Sequence, residues 1–284
     1  MEYTDASLTE ITAKVRQDVD DFCLKLYAQD RRTHLGASEV GDECLRRQWY
    51  LFRWIRTKTF PARMYRLFNR GHREEERIIE WLKGVGFHIL ELNPQTSKQW
   101  LFAKFGGHYG GSTDGLATHP IYFPDHRLVL EFKTHNAKSF AKLRKEGVKQ
   151  SKPKHYAQMC VYGREFDCGL GLYAASNKDD DDLHIEIVWI NSEVGRNLED
   201  RAKYIITATE EPSKMQGANP SHYICKTCES LGVCFYKEPA DKNCRSCKNA
   251  VPVEGGWFCQ HFKGMIPKDF VVKGCELHET ILKH

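Results

Sequence analysis

The stretch that decides the fold is GGSTDGLATHPIYFPDHRLVLEFKT, residues 110–134. Two apolar runs, TDGLATH and RLVLEFKT, flank a turn with two prolines, and this pattern predicts a β-hairpin. Because side chains alternate along a strand, we expect Glu131 and Lys133 on one face and Phe132 in the core. Asp114, at the start of the first run, would meet them at the same end of the hairpin.

The polar side chains of this hairpin form a set with a defined chemistry. Two carboxylates and a backbone carbonyl suit a hard divalent cation such as Mg²⁺ or Mn²⁺. A neighbouring lysine could orient or help deprotonate a metal-bound water, or hold a phosphate. A Glu-x-Lys pair alone is also ordinary charge alternation on an exposed strand, so the prediction depends on Asp114 and on the helices around the hairpin. Together they predict a site for phosphodiester hydrolysis.

Helical and strand patterns surround the hairpin and indicate an α/β protein. Helices are predicted at residues 7–30, 64–84, 153–163 and 191–214, and further strands at 87–92, 99–105, 170–175 and 183–190. The first helix carries an apolar stripe of Leu8, Ile11, Val15, Val19, Phe22 and Leu26. His72 and Glu75 are three positions apart on one helix, and Gln158 and Tyr162 are four apart on another, so each pair shares a helix face.

These residues, in this order, carry a resemblance to a known family. The pattern Gly71…Glu75, Asp114, Glu131-x-Lys133 and Gln158-x-x-x-Tyr162 resembles the PD-(D/E)XK nucleases of the RecB and lambda-exonuclease branch, over residues 34–190. The resemblance implies a restriction-endonuclease-like core, which is a mixed central sheet flanked by helices. Thr113 stands where the motif name has proline, a position whose backbone role tolerates the change.

The same resemblance implies roles for the site residues. Asp114 and Glu131 would bind Mg²⁺ or Mn²⁺, Lys133 would be catalytic, and Glu75 would complete the site from its helix. Gln158 and Tyr162 would support the site and contact DNA near the cleaved phosphate. His72 is a further metal ligand by analogy with CRISPR-associated relatives, or else a half-exposed helix residue.

The chain has eleven cysteines, and most of them lie near the C-terminus. The N-terminal residues lack a secretory pattern, so we expect reduced thiols in a cytoplasmic protein, in the host cytoplasm if the chain is phage-encoded. Crowding with C-x-x-C spacing near the C-terminus then indicates metal binding. We divide the chain into a nuclease core with N-terminal helices at 1–214, a cysteine staple segment at 215–240 and a zinc-ribbon-like tail at 241–284. The fold is thus expected to carry a small Cys-rich metal-binding module at its C-terminus.

The staple segment offers three thiolates, from Cys225, Cys228 and Cys234, one short of a complete set. Cys44 could supply the fourth, and its setting CLRRQWY is similar to the first-cysteine segment of the iron–sulfur nucleases, which include CRISPR-associated and AddB-type enzymes. That similarity implies a [4Fe–4S] cluster, with Zn²⁺ as the alternative. The tail offers a second set, expected to bind Zn²⁺, made of Cys244, Cys247, Cys259 and Cys275, with His261 or His278 as alternative ligands.

The charge pattern points to DNA as the partner. The net charge is +4, which permits an anionic partner without demanding one. Basic residues cluster between the hairpin and the Gln158 helix, with a second strip near Cys44, and both could neutralise phosphates. The candidate DNA contacts are Arg46, Arg47, Lys142, Lys145, Lys149, Lys152 and Lys154.

Composition and motifs together favour one function. With 41% apolar and 28% charged residues, the chain is neither disordered nor membrane-spanning. We predict a metal-dependent deoxyribonuclease, an exonuclease on linear DNA in replication, recombination or repair, with a recombination or single-strand-binding protein as a candidate partner. The alternatives are a nuclease-fold module that binds nucleic acid without cleaving it, and an endonuclease or CRISPR-type prespacer-trimming nuclease.

Overall fold

The computed structural model describes residues 4–27, 31–57 and 59–283. The helices described are α1 Asp5–Tyr27, α2 Ala37–Val40, α3 Leu45–Phe52, α4 Ala62–Gly84, α5 Ala137–Ser151, α6 Pro153–Glu165, α7 Ser192–Thr207, α8 Leu231–Tyr236 and α9 Lys268–Lys273, with 3-10 turns at Cys225–Thr227 and Cys244–Ser246. The strands described are β1 Leu35–Gly36, β2 His88–Leu90, β3 Leu92–Asn93, β4 Lys98–Gln99, β5 Leu101–Lys104, β6 Tyr109–Ser112, β7 Leu116–His119, β8 Phe123–His135, β9 Leu170–Asn177, β10 Leu183–Trp189, β11 Ala250–Val253, β12 Gly256–Cys259 and β13 Gly264–Met265.

A five-stranded sheet with the order β10-β9-β8-β7-β2 forms the centre of the fold. The predicted hairpin is present as the antiparallel pair β7 and β8, with Leu116 opposite Val129. Strand β8 runs parallel to β9, whereas β10 is antiparallel to β9, so the sheet is mixed. The prediction of a mixed α/β architecture is therefore confirmed.

Helices cover both faces of this sheet. On one face, Ile78 and Leu82 of α4 pack in one cluster with Leu130 and Phe132 of β8. On the other face, Phe140 of α5 packs in a second cluster, which also contains Met159 of α6 and Tyr173 of β9. Phe132 therefore points into the core as predicted, and the residues on either side of it point toward α5 and α6.

Two helices differ from the sequence-based expectation. Helix α7 ends at Thr207 rather than 214, because Ala208 takes an extended conformation (ψ 121°), four residues before Pro212. Helix α5 was not predicted, since its many lysines obscure an apolar face formed by Phe140, Leu143 and Val148. Gly147 kinks this helix with φ 74°, a conformation that favours glycine.

The N-terminal helix α1 carries its apolar stripe on an exposed surface. Leu8, Val15 and Phe22 are 47%, 55% and 61% exposed, and α1 contacts α4, with an ion pair between Arg66 and Asp20. Residues 28–30 of the predicted helix lie outside the described residues. Within the described ranges, no helix is both long and apolar enough to cross a membrane.

The C-terminal residues form a small sheet, β11-β12-β13, that packs on α3. Trp257 of β12 is 4% exposed and lies 5.4 Å, ring centre to ring centre, from Phe52 of α3. Two arginines, Arg53 and Arg245, are buried in the same aromatic cluster, with their guanidinium carbons 5.1 Å and 4.8 Å from the Trp257 ring centre. The tail therefore shares a core with the N-terminal half of the chain.

Candidate functional site

Glu131 and Lys133 lie side by side on β8. Glu131 is fully buried, and its backbone is in register with Tyr173 of the parallel strand β9. Lys133 forms an ion pair with Glu131 Oε1, and its Nζ donates a hydrogen bond to the Phe132 carbonyl at 2.8 Å. The structure thus places the predicted carboxylate and ammonium groups on one face of the strand.

Asp114 joins this pair from the turn before β7. Its Oδ2 accepts a hydrogen bond of 2.7 Å from the Phe132 amide, the residue between Glu131 and Lys133. The turn is held by Thr113, whose hydroxyl donates to the Leu130 carbonyl at 3.0 Å. Threonine at the position of the motif's proline therefore has a positive role, since it ties the Asp114 turn to β8.

Helix α4 brings a third carboxylate, that of Glu75, to the same place. Burial raises the pKa of Glu75, and the negative charge of Asp114 raises it further. His72 lies one helical turn away, with its Nδ1 3.7 Å from Glu75 Oε2, and its side chain is 67% exposed. Glu75, His72 and Lys133 line a cavity of about 350 Å³.

Glu74, next to Glu75, has a structural role instead. Its Oε1 accepts a hydrogen bond of 2.5 Å from Ser176, and its Oε2 pairs with Arg77 at 2.9 Å. Glu76 is exposed. Of the three consecutive glutamates, Glu75 is therefore the one whose carboxylate interacts with Asp114.

The electrostatics of this cluster suit a divalent cation. The pKa of Glu131 is raised to about 7, chiefly by burial. The charge of Lys133 lowers this pKa, and the charge of Asp114 raises it. Burial alone would lower the pKa of Lys133, but the Glu131 and Asp114 carboxylates raise it above its usual value. Glu131 Oε2 is buried without a hydrogen-bond partner among the described residues. A bound cation would satisfy this oxygen and reduce the repulsion between the carboxylates.

The raised pKa of Glu131 gives a prediction for stability. Without metal, the folded protein holds a proton on Glu131 between pH 4.5 and about 7 that the unfolded chain releases. The contribution of Glu131 to the free energy of unfolding should therefore fall as pH rises through this window, by about 3 kcal/mol at most. Urea unfolding of the wild type and Glu131→Gln in EDTA at pH 5, 6 and 7 measures this difference. A constant difference between the two proteins across this range would contradict the prediction.

The predicted pair on α6 lies close to the carboxylates. Gln158 and Tyr162 are buried, and burial together with the Glu131 and Asp114 charges raises the pKa of Tyr162. A Cβ on Gly111 would come within 2.7 Å of the Tyr162 hydroxyl, so only glycine fits the strand at that point. The structure thus brings Glu75, Asp114, Glu131, Lys133 and the α6 pair together.

The staple cysteines come from opposite ends of the chain. Burial is the main cause that raises the pKa of Cys228 to about 11 and that raises the pKa of Cys234. Cys44 adds a small rise to the pKa of both thiols, which requires that it lie close to them. Cys225 and Cys228 lie in one turn, in which the Cys228 amide donates a hydrogen bond of 3.0 Å to the Cys225 carbonyl. The predicted proximity of Cys44 to this segment is therefore present.

The tail cysteines line one cavity of about 360 Å³, together with His261 and His278. Burial, with smaller contributions from Cys275, Cys247 and Cys259, raises the pKa of Cys244 to about 11. His278 Nε2 lies 3.0 Å from the Ser246 hydroxyl. In the described part of the chain, no group of three or more His, Cys, Asp and Glu side chains is already arranged to hold a metal ion, and this applies equally to the tail, the staple cysteines and the carboxylate cluster.

The predicted DNA contacts divide into two groups. Arg46 pairs with Glu211 at 3.4 Å, and Arg47 pairs with Asp42 at 3.1 Å and with Glu229 at 3.3 Å; their side chains are only 14% and 17% exposed. The charges of both arginines are thus engaged in internal ion pairs, and their contact with DNA stays a prediction.

The lysines of the second group differ among themselves. Lys142, Lys145 and Lys149 are exposed along α5. Lys152 donates to the Ser139 hydroxyl at 2.7 Å, and Lys154 pairs with Asp42 at 3.0 Å while its side chain remains 43% exposed. Lys142 also pairs with Glu146, at 3.7 Å, but its side chain is 57% exposed. The first three lysines are thus the most exposed of the set and the best placed to meet phosphates.

The sequence reasoning missed several functional candidates. Tyr173, His155 and His135 form a hydrogen-bonded group next to Glu131 and Lys133. The signal for His135 was its two-residue spacing from Lys133, which places both on one face of a strand. The other two reach the site from β9 and α6, and only the tertiary structure shows this.

Comparisons with known proteins give only distant similarities. No family model matches the sequence, and no curated protein matches it. Among solved structures, "Crystal structure of SSO0001" is 15% identical, with a TM-score of 0.42, over 79% of this chain and 98% of that one. An alkaline exonuclease, LHK-Exo from Laribacter hongkongensis, is 15% identical, with a TM-score of 0.42, over 66% and 90% of the two chains. The structure of LHK-Exo in complex with dAMP is 14% identical, with a TM-score of 0.44, over 62% of this chain and 87% of that one.

Proposed function

We propose that this protein is a metal-dependent deoxyribonuclease that hydrolyses the phosphodiesters of linear DNA from an end. The observation that carries the proposal is the cluster of Asp114, Glu131 and Lys133 at one point of β8, with Glu75 beside it and a buried, unpaired oxygen on Glu131. A module that only binds DNA has no need to bury an unpaired carboxylate oxygen, because burying it costs free energy. The cluster therefore favours an enzyme over a binding module.

Asp114 and Glu131 are the residues that would hold Mg²⁺ or Mn²⁺, since one or two carboxylates commonly suffice for such an ion. The ion, when bound, supplies Lewis-acid activation of water and phosphate. Lys133 keeps its proton because its pKa is raised by Glu131 and Asp114 against the effect of burial. It therefore acts as a donor that orients the attacking water and neutralises phosphate charge. Glu75, whose pKa is raised by burial, is placed to orient that water and accept its proton.

The choice of exonuclease over endonuclease follows from the motif resemblance to the lambda-exonuclease branch. The experiment that tests it compares end-labelled linear duplex DNA with covalently closed circular DNA of the same sequence, each with Mg²⁺ or Mn²⁺. We expect progressive shortening of the linear DNA and an intact circle. Cleavage of the circle would favour the endonuclease, and binding of both without cleavage would favour the binding module.

We further propose that both cysteine sets hold metals that tie the chain together. Cys44, Cys225, Cys228 and Cys234 would hold a [4Fe–4S] cluster and so join α3 to the staple segment; the proximity of Cys44 to Cys228 and Cys234 supports this. The cavity shared by the four tail cysteines supports a Zn²⁺ site there. Elemental analysis of anaerobically purified protein tests both, because zinc without iron would contradict the cluster.

The exposed lysines of α5 provide a prediction for DNA binding. Removing Lys142, Lys145 and Lys149 together should weaken binding to all DNA sequences. It should also reduce the slope of log affinity against log salt by about 1 for each phosphate that is no longer neutralised. Fluorescence anisotropy with labelled duplex DNA, without added Mg²⁺ or Mn²⁺ and without chelator, over a range of salt concentrations, measures both effects. The matched control is Lys203→Ala, an exposed lysine of α7, which should leave the slope unchanged. An unchanged slope in the triple variant would contradict the prediction.

A further inference from the structure

A series of hydrogen bonds links five side chains next to the carboxylate cluster. Lys152 Nζ lies 2.7 Å from Ser139 Oγ, which lies 3.2 Å from His135 Nδ1. His135 Nε2 lies 2.9 Å from the Tyr173 hydroxyl, which lies 2.8 Å from His155 Nδ1. Tyr173 is fully buried and His135 is 8% exposed, so this hydrogen-bond relay is an interior feature.

The direction of the bonds follows if every hydroxyl hydrogen in the relay has an acceptor. A protonated Lys152 can only donate, so Ser139 accepts from it, and the Ser139 hydrogen has His135 Nδ1 as its acceptor. His135 then carries its hydrogen on Nε2 and donates it to the Tyr173 hydroxyl. The Tyr173 hydrogen is left for His155 Nδ1. His155 must therefore carry its own hydrogen on Nε2.

Both imidazoles are neutral at physiological pH, which this pattern requires. Burial, together with nearby lysine charges that include Lys133, lowers the pKa of His135 to about 4 and that of His155 to about 3. Each ring thus has one hydrogen, and the relay decides which nitrogen holds it.

The hydrogen-bond relay ends at the proposed catalytic cluster. His135 is two residues beyond Lys133 on the same face of β8, and Tyr173 lies opposite Glu131 on β9. His155 lies on α6, three residues before Gln158, so the two share a helix face. His155 is half-buried, and its Nε2 forms no hydrogen bond with any described residue.

We infer that His155 donates a hydrogen bond from Nε2 to a non-bridging oxygen of the DNA phosphate bound beside Lys133. Tyr173, His135, Ser139 and Lys152 are positioning residues that hold His155 in this tautomer. The inference rests on the proposed nuclease function. A neutral donor suits the place, because it contacts the phosphate without adding a second cation next to the Lys133 ammonium.

The tautomer can be tested without any enzyme activity. Nitrogen NMR of protein labelled in histidine, with His155→Gln used to assign the signals, should show a protonated Nε2 and an unprotonated Nδ1 at His155. Tyr173→Phe removes the donor to Nδ1 with little change in volume, and it should yield a mixture of tautomers. A protonated Nδ1 in the wild type, or an unchanged tautomer in Tyr173→Phe, would overturn the relay.

The contact with DNA is tested by kinetics on labelled linear duplex DNA. His155→Ala and Tyr173→Phe should each lower kcat/KM about tenfold, as expected for one missing hydrogen bond to a charged group. His155→Gln keeps an amide donor and should recover part of the loss. His88→Gln is the matched control on an exposed histidine of β2. Circular dichroism must show that each variant folds.

The outcomes separate the two proposals. A wild-type protein that cleaves no DNA contradicts the proposed function, whatever the tautomer of His155. A wild-type protein that cleaves DNA, with His155→Ala as active as His88→Gln, contradicts only the role of His155.

Discussion

Lys133→Met is expected to lower kcat for DNA cleavage by about 10³-fold, while DNA binding weakens only by the loss of one phosphate contact. The reason is the position of its ammonium group, which pairs with Glu131 and is held by the Phe132 carbonyl. Methionine keeps the length of the side chain but cannot donate to water or neutralise phosphate. Single-turnover cleavage of labelled linear duplex DNA, with binding measured in EDTA, gives the two quantities separately.

The matched control for this change is Lys138→Met. Lys138 is an exposed lysine of α5, five positions along the chain from Lys133, and its loss should change kcat less than twofold. Equal activity of Lys133→Met and Lys138→Met would show that the β8 lysine has no catalytic role. The structure would then explain the Glu131–Lys133 pair as a buried ion pair with a purely structural role.

If the tail binds Zn²⁺ as proposed, Cys247→Ser is expected to cost at least about 3 kcal/mol of stability and to release that ion. Cys247 is 7% exposed, and a thiolate there would raise the pKa of Arg53, which is buried in the aromatic cluster with Arg245. Neither arginine has a carboxylate partner among the described residues. Bound thiolates would provide the negative charge that these two cations lack, so losing them exposes an uncompensated buried charge. Thermal unfolding with zinc quantified in the same samples measures both effects.

Cys23→Ser is the control for the tail variant. Cys23 is also 7% exposed but lies on α1, far from the tail in sequence, so we expect a loss of about 1 kcal/mol or less and an unchanged metal content. Chelation of the wild type should reproduce the instability of Cys247→Ser. A chelator that removes zinc without lowering the melting temperature would contradict a structural metal in the tail.

The sequence predicted the hairpin and the helices α4 and α6 because their signals are local. Alternation along residues 127–134 and the proline at the first turn of α6 need no knowledge of distant residues. Asp114, Glu131 and Lys133 were found for the same reason, since a hairpin brings its own ends together.

The features that were missed depend on contacts between distant parts of the chain. Arg46 pairs with Glu211, and Arg47 with Glu229 as well as with the nearby Asp42. The two glutamates are more than 160 positions away, so the local sequence did not show these pairs. Helix α5 was not predicted because its many lysines interrupt the apolar pattern. Whether the apolar stripe of α1 is buried or exposed depends on which elements pack against it, and the sequence does not show this. The hydrogen-bond relay through Tyr173 likewise joins strands and helices that no sequence pattern links.

The most direct test of the account is the release of nucleotides from linear duplex DNA by the wild type and by Asp114→Asn, with Mg²⁺ and with EDTA. Asparagine can still accept the hydrogen bond of 2.7 Å from the Phe132 amide, so the turn should keep its structure while the charge is removed. We predict release only by the wild type with Mg²⁺, and DNA binding by both proteins. Release that persists in EDTA, or undiminished activity of Asp114→Asn, would contradict a metal-dependent nuclease site at β8.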